Sequence, residues 1–204
     1  MAQTFSYDGV KPVIDPGCYV HPTAVVIGDV CIETGCYVGP GAVLRGDFGP
    51  ILLEAGSNIQ ETCVVHSFPN VEVVVGEAGH IGHGAILHGC RVGRNAMVGM
   101  NSVVMDGVTI GENSIVGALS FLKAGAVFGA NCLILGIPAK EVRQLTPAEL
   151  DWKRTGTAIY QQIARDAQHK LESCEPLIQK EPNRRSVEVT EHLPLYLERL
   201  KHGD

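Results

Sequence analysis

Aromatic side chains make up only 5% of the 204 residues, with a single tryptophan, so the interior must be packed from small and aliphatic groups. The seven cysteines include no Cys-x-x-Cys pair, and their number is odd. That excludes a four-cysteine zinc ribbon and argues against a disulfide framework; buried thiols of a reducing compartment are expected. No apolar run approaches the length that crosses a bilayer, and the first eight residues have neither the basic nor the apolar segment of a secretory leader. A soluble, cytoplasmic protein with no membrane partner is the expectation. Positive charge is also scarce: 16 Lys and Arg against 22 Asp and Glu leave a net charge of -6. A nucleic-acid partner is thereby excluded, because phosphate binding is driven by neutralising cations.

What is abundant is glycine, 24 residues of it, and a beat of six. From Ile14 an aliphatic residue returns at Val20, Val26, Ile32, Val38 and Leu44. The beat resumes at Leu53, Ile59 and Val65, again at Val75, Ile81 and Leu87, and finally at Val92, Val98, Val104, Ile110, Val116 and Leu122. The fifth position of the hexad is small in fifteen of these eighteen cases, with Cys18, Cys36 and Cys63 among them; Phe48, Pro69 and Arg91 are the exceptions. Neither an amphipathic helix nor an alternating strand has this period. It fits an all-β solenoid of hexapeptide repeats, three short strands to a coil with the aliphatic residue inside, and eighteen hexads on three faces make six coils. The repeat resembles the left-handed parallel β-helix family, and the handedness is implied by that resemblance alone.

After Leu122 the beat fades. Thr146, Pro147 and Glu149 have the chemistry of a helix start, with a Thr cap, Pro in the first turn and a Glu that closes a capping box. The expected organisation is a β-helix over residues 1–140, a C-terminal α-helix over 146–175 whose stripe Ile159, Ile163, Ala167 and Leu171 packs inward, and a polar tail over 181–204 without assignment.

Counting hexads around three faces places Leu44, Val65, Leu87, Val104 and Leu122 on one face. The next residues, Arg45, His66, His88, Met105 and Lys123, then form an outward column. Neighbouring coils lie about 4.8 Å apart, so His66 and His88 are adjacent although twenty-two residues separate them. Two imidazoles at that spacing can share a Zn²⁺ ion. His83 falls on the preceding face and completes the set only if that face of one subunit meets the histidine face of another, as a closed homotrimer provides. The slips beside Phe48, Pro69 and Arg91 fall at this same corner, where segments 48–51 and 68–73 are expected to project as loops. A lone outward histidine on a repeat is ordinarily solvated, and His21, His169, His192 and His202 are so read. His80 is expected to make a structural hydrogen bond, Arg45 and Asp47 a subunit contact, and Gln60 a contact to the water at the metal.

At these residues the chain resembles the γ-class carbonic anhydrases, whose Arg-x-Asp, Asn-x-Gln-Asp, His and His-x4-His pattern corresponds to Arg45 and Asp47, Asn58, Gln60 and Glu61, His66, and His83 and His88. Further stretches around Gly79, around Asn101 and from Trp152 to Gly156 resemble one branch, the PaaY/CaiE proteins of phenylacetate and carnitine catabolic operons; Phe48 and Phe68 lean toward the phenylacetate side. The resemblance implies metal ligation by His66, His83 and His88 across a trimer interface, with Arg45, Asp47, Gln60, Glu61 and Asn101 as the surrounding catalytic machinery. Glu61 stands where the family has Asp. The acidic proton-shuttle loop is reduced to Glu72, which implies slow CO₂ hydration.

A three-histidine zinc site lowers the pKa of its water to about 7, so metal-assisted hydrolysis is expected, and the resemblance to the phenylacetate side of the branch implies an acyl-CoA thioester as the substrate. Arg91, Arg94 and Lys123 are candidates for the CoA phosphates. CO₂/bicarbonate interconversion, acyl transfer from CoA and a non-enzymatic trimeric scaffold are the alternatives.

Overall fold

A computed structural model describes residues 2–188 and 190–202. The six-residue beat closes into a left-handed parallel β-helix, followed by an α-helix laid along its side. Every beat residue from Val26 to Leu122 is at most 1% exposed and forms one continuous core. Burying one such side chain contributes about 1.5–3 kcal/mol, so each coil has three. Four of the seven cysteines (Cys36, Cys63, Cys90 and Cys132) are buried, and all seven are free thiols.

The three columns pair in parallel, in register, as the hexad count predicts. Face one stacks Ile14, Ile32, Leu53, Val75, Val92 and Ile110. Face two stacks Val20, Val38, Ile59, Ile81, Val98 and Val116. Face three stacks Val26, Leu44, Val65, Leu87, Val104 and Leu122.

The beat does not stop at Leu122. Phe128 and Ile134 continue it six and twelve residues on, pairing with Ile110 and Val116, and at the other end the strand Gln3–Phe5 adds to face three through Thr4 and Val26. Each face therefore carries seven parallel strands rather than the six expected. An aromatic residue in an aliphatic column hid the first extension, and the shallow, exposed Gln3–Phe5 strand carries no apolar signature.

The slips are resolved by the residue two places before each resumed beat. Ile51, Val73 and Cys90 fill the small inward position, while Phe48, Pro69 and Arg91 turn outward. The segment 48–51 is not a loop: it lies within one continuous strand, Val43–Leu53, which bends around the corner between faces three and one alongside Val25–Ile32. Gly46 makes that bend possible, since a Cβ there would strike the backbone of Asp29 in the coil below. Residues 68–73 do form a turn on the way to the strand Val73–Val75, with Asn70 at φ 61°.

Helix α1, Pro147–Lys170, starts on the expected cap: Thr146 Oγ1 accepts from the Glu149 amide, and Glu149 accepts from the Thr146 amide. It ends at Lys170, short of residue 175, and its buried face is not the apolar stripe. Lys153, Thr157 and Ala164 are buried, whereas Ile163 and Leu171 are exposed. The solenoid corners present backbone carbonyls of turns, and the helix answers with donors. Lys153 Nζ donates to Ala78 O at 2.8 Å and Asn95 Oδ1 at 2.6 Å, Gln161 Nε2 to Gly56 O at 3.1 Å, and Gln168 Nε2 to Gly17 O at 3.1 Å.

The stretch read as an unassigned polar tail carries a second helix, α2, Leu195–His202, docked on α1. Trp152 Nε1 donates to Leu193 O at 2.7 Å, and Arg199 Nε to Glu149 Oε1 at 2.9 Å. The Glu149 carboxyl, also bound by Arg143, is pushed down to about 2, first by that arginine's hydrogen bonds. No helix among the described residues is long and apolar enough to cross a membrane.

Candidate metal centre

His66 and His88 are register partners on adjacent strands, Val64–His66 and Ile86–His88. Each follows an inward aliphatic residue and therefore points outward, so their rings face each other with centroids 5.1 Å apart and His66 Nδ1 3.1 Å from His88 Nε2. The far nitrogens meet carboxylates: His88 Nδ1 lies 2.6 Å from Asp106 Oδ1, and His66 Nε2 lies 3.1 Å from Asp47 Oδ1. A carboxylate only accepts, so the His88 proton sits on Nδ1 and its Nε2 lone pair points at His66. Phe48 and Phe68 flank the pair, each 5.2 Å or less from a histidine ring.

Arg45 sets the resting tautomer of His66. Its Nη2 lies 2.8 Å from His66 Nε2 while its Nε donates to Asp47 Oδ1 at 3.1 Å. A guanidinium never accepts, so its approach favours a proton on His66 Nδ1, donated to His88. A ligand at Nδ1 would need that single proton moved to Nε2, with Arg45 turned aside and the N–H donated to Asp47 Oδ1. Burial first, then the Arg45 charge, lower the His66 pKa, which keeps the ring neutral as a ligand must be.

His83 sits around the corner from this pair, as the register count places it. Its Nδ1 is 2.5 Å from Glu61 Oε2, and its side chain is 47% exposed. Tyr37 also donates to Glu61, at 3.1 Å. Burial acts to raise the Glu61 pKa, and hydrogen bonds from its own backbone, His83 and Tyr37 outweigh it, so the carboxyl is held below its usual range. The extra methylene of Glu61 thus serves His83 within the chain; Arg45 pairs with Asp47 instead. Gly84 leaves room at this turn for the Asn101 side chain, and the Asn101 amide donates to His83 O at 2.9 Å.

Gln60 follows the inward Ile59 and so points outward, where it is buried between face two and α1, its Nε2 reaching His80 Nε2 at 2.6 Å and Asn58 Oδ1 at 3.1 Å. His80 makes the structural hydrogen bond expected of it. Burial, followed by the nearby Lys153 charge, pushes its pKa down to about 3, so it is neutral. Two histidines expected to lack partners have them: His21 Nδ1 accepts from the Thr23 amide at 3.1 Å, and His192 stacks on Trp152 at 5.1 Å. Two of the three cations assigned to CoA phosphates are already paired, Arg91 with Glu72 at 3.0 Å and Arg94 with Glu112 at 2.8 Å.

The donor set fits a zinc ion. Two nitrogens bound to one tetrahedral Zn²⁺ at about 2.0–2.1 Å lie about 3.3 Å apart, close to the 3.1 Å between His66 Nδ1 and His88 Nε2. Each of the three histidines has one nitrogen held by a carboxylate and the other left for a ligand, the arrangement that fixes metal-binding imidazoles. Among the described residues no single chain gathers three such ligands around one point. His66 and His88 make two, and His83 is on another face.

Asp106 escaped the sequence reading. It stands one place past Met105, the residue that the shortened coil sets over His88, so the outward column passes it by. Asp47 is carried to His66 by the bend at Gly46, which no periodicity reports.

Comparison with known proteins places these features in context. The family model for bacterial transferase hexapeptide (six repeats) matches residues 11–46 and 89–124. The carnitine operon protein CaiE of Salmonella dublin is 52% identical over 186 residues, 91% of this chain and 94% of the relative. Among solved structures, a hexapeptide transferase family protein from Anaplasma phagocytophilum is 37% identical with a TM-score of 0.77, covering 80% of this chain and 96% of that one. A putative acetyltransferase from Bacillus cereus is 29% identical with a TM-score of 0.79, covering 80% and 95%.

Proposed function

The chain belongs to the CaiE-like hexapeptide-repeat family, and from that premise we propose that it is a metal-dependent hydrolase of acyl-CoA thioesters, active as a homotrimer. The observation that carries the reading is the threefold repetition of one device: Asp47 behind His66, Asp106 behind His88 and Glu61 behind His83. A protein using these histidines only for solubility or packing has no need of three oriented imidazoles. In the trimer, His66 and His88 of one subunit and His83 of the next hold the ion. Zinc, or ferrous iron, in that place supplies Lewis acidity, bringing the pKa of water to about 7 and stabilising charge on a thioester oxygen.

The chain's own residues do the rest. Asp106 fixes the tautomer of His88 and Glu61 that of His83, while Asp47 stands beside His66 Nε2 to accept its proton once Arg45 gives way, so each ligand has a carboxylate to orient it. Phe48 and Phe68 shield the pair from bulk water and offer rings to an apolar or aromatic acyl group, such as a by-product of phenylacetate breakdown. Water oxygen adds to the thioester carbonyl and the C–S bond breaks; one water proton goes to the departing CoA thiolate and the other is released as the acyl group leaves as its carboxylate. Asn101 and Gln60 frame the site from the neighbouring face, through His83 O and His80 respectively. Thioester cleavage is favoured over fast CO₂ hydration because Glu72, the acidic residue of the 68–75 loop, is tied to Arg91. Replacing both His66 and His88 by Ala abolishes acyl-CoA hydrolysis in a thiol-release assay; unchanged turnover overturns the reading.

Acyl transfer is the second reading, favoured by the His83–Glu61 pair, which orients one imidazole as a lone base between subunits. Metal-stripped protein that acylates an amine from acetyl-CoA selects it.

A further inference from the structure

Between α1 and face two lies a chamber of about 240 Å³ that the ligand set does not explain. Its walls are mostly apolar, with Met97 and Met100 from the solenoid and Ile159 and Tyr160 from the helix. His83 is on its rim, so the chamber opens beside the residue that is to reach a neighbour's metal site. His80 also lines it.

Gln60 Nε2 belongs to an amide nitrogen, which only donates, so His80 Nε2 accepts and its proton is on Nδ1. That Nδ1 is buried and has no hydrogen-bond partner. His80 is 8% exposed, and an unpaired buried donor costs about 1–3 kcal/mol, so the fold keeps a cost here that a ligand can relieve. Tyr160 packs edge-on against the His80 ring at 5.0 Å and holds it in place. The outer wall is His192, stacked on Trp152 by the docked C-terminal segment.

We infer that this chamber receives the acyl portion of the thioester, a short neutral group carrying one hydrogen-bond acceptor in reach of His80 Nδ1–H, with its apolar part against Met97, Met100 and Ile159. The inference rests on the hydrolase reading for its substrate, but the chamber belongs to one chain and needs no metal to be occupied. Lys153 also lines the chamber, with its Nζ donating to Ala78 O and Asn95 Oδ1, so the apolar wall and His80 are left to hold the acyl group. A volume of about 240 Å³ holds a chain of a few carbons or a single ring and excludes long fatty acyl groups.

The test uses metal-free full-length protein and two neutral amides, acetamide and butyramide, which keep the carbonyl and drop the CoA. Ligand-observed NMR titration is expected to give saturable binding, with butyramide about tenfold tighter, the factor that two buried methylenes supply. Ile159→Trp, which fills the chamber from the helix, is expected to abolish that preference. His80→Phe is expected to weaken both amides together. Absence of saturable binding, or equal affinity in wild type and Ile159→Trp, overturns the chamber. The double variant His66→Ala/His88→Ala separates the two readings: amide binding retained with hydrolysis lost supports both. Amide binding retained with hydrolysis intact leaves the chamber standing and removes the metal.

Discussion

Asp106→Asn isolates the carboxylate behind His88 without changing its shape. Asp106 Oδ1 lies 2.6 Å from His88 Nδ1, the shortest of the contacts that hold the facing pair, and both side chains are less than a third exposed. The amide can still present its oxygen to the ring, so the rotamer is preserved, but the negative charge that raises imidazole basicity is gone. Loss of such a supporting group costs 10–100-fold in metal affinity, about 1.4–2.7 kcal/mol. Asp47→Asn is expected to cost less than Asp106→Asn, because Asp47 already shares its charge with Arg45 at 3.1 Å. The assay is zinc competition against a chromogenic chelator at pH 7.5, with circular dichroism to confirm that the coils are intact. Wild-type affinity in Asp106→Asn refutes the assignment of His88 as an oriented ligand.

Two further outcomes follow from the scaffold. Lys153 is 1% exposed, and burial pushes its pKa down to about 7. The native state then binds fewer protons than the unfolded state between about pH 7 and 10.4, so the Lys153 contribution grows with pH across that window and is lost as pH falls toward 7. Relative to Lys153→Met, the wild type gains about 2 kcal/mol from pH 7 to pH 9 in denaturant unfolding, and parallel pH profiles contradict the assignment. Gly46→Ala forces a methyl group onto the Asp29 backbone at the corner between Arg45 and Asp47. It is expected to cost about 1–3 kcal/mol, a fall in melting temperature of about 3–10 °C, with zinc affinity reduced as well; an unchanged melting curve is the contrary result.

The histidine pair was legible because a period of six, once assigned to three faces, converts sequence distance into coil number. His66 and His88 are register partners by arithmetic, and His83 is off that column by the same arithmetic. What stayed hidden has physical causes. Phe128 continues the beat as an aromatic residue in an aliphatic column, so the seventh turn was not read. The docked face of α1 follows hydrogen-bond demand rather than hydrophobic period: turn carbonyls at Ala78, Gly56 and Gly17 call for Lys153, Gln161 and Gln168, while Ile163 and Leu171 face outward. The strand through residues 48–51 was read as a loop because an insertion interrupts the beat, yet its backbone pairs on around the corner. Asp106 and the orphaned Nδ1 of His80 belong to contacts between coils that only the folded backbone brings together.

Subunit mixing tests the shared metal site most directly. His83→Ala protein keeps the facing pair, and His66→Ala/His88→Ala protein keeps the third ligand, so neither alone holds zinc with three imidazoles. Dissociated, mixed in equal amounts and reassembled, random trimers carry a complete site at about one interface in four, and elemental analysis is expected to find about 0.25 zinc per chain. Zinc no higher in the mixture than in either parent contradicts a site built from two copies of this chain.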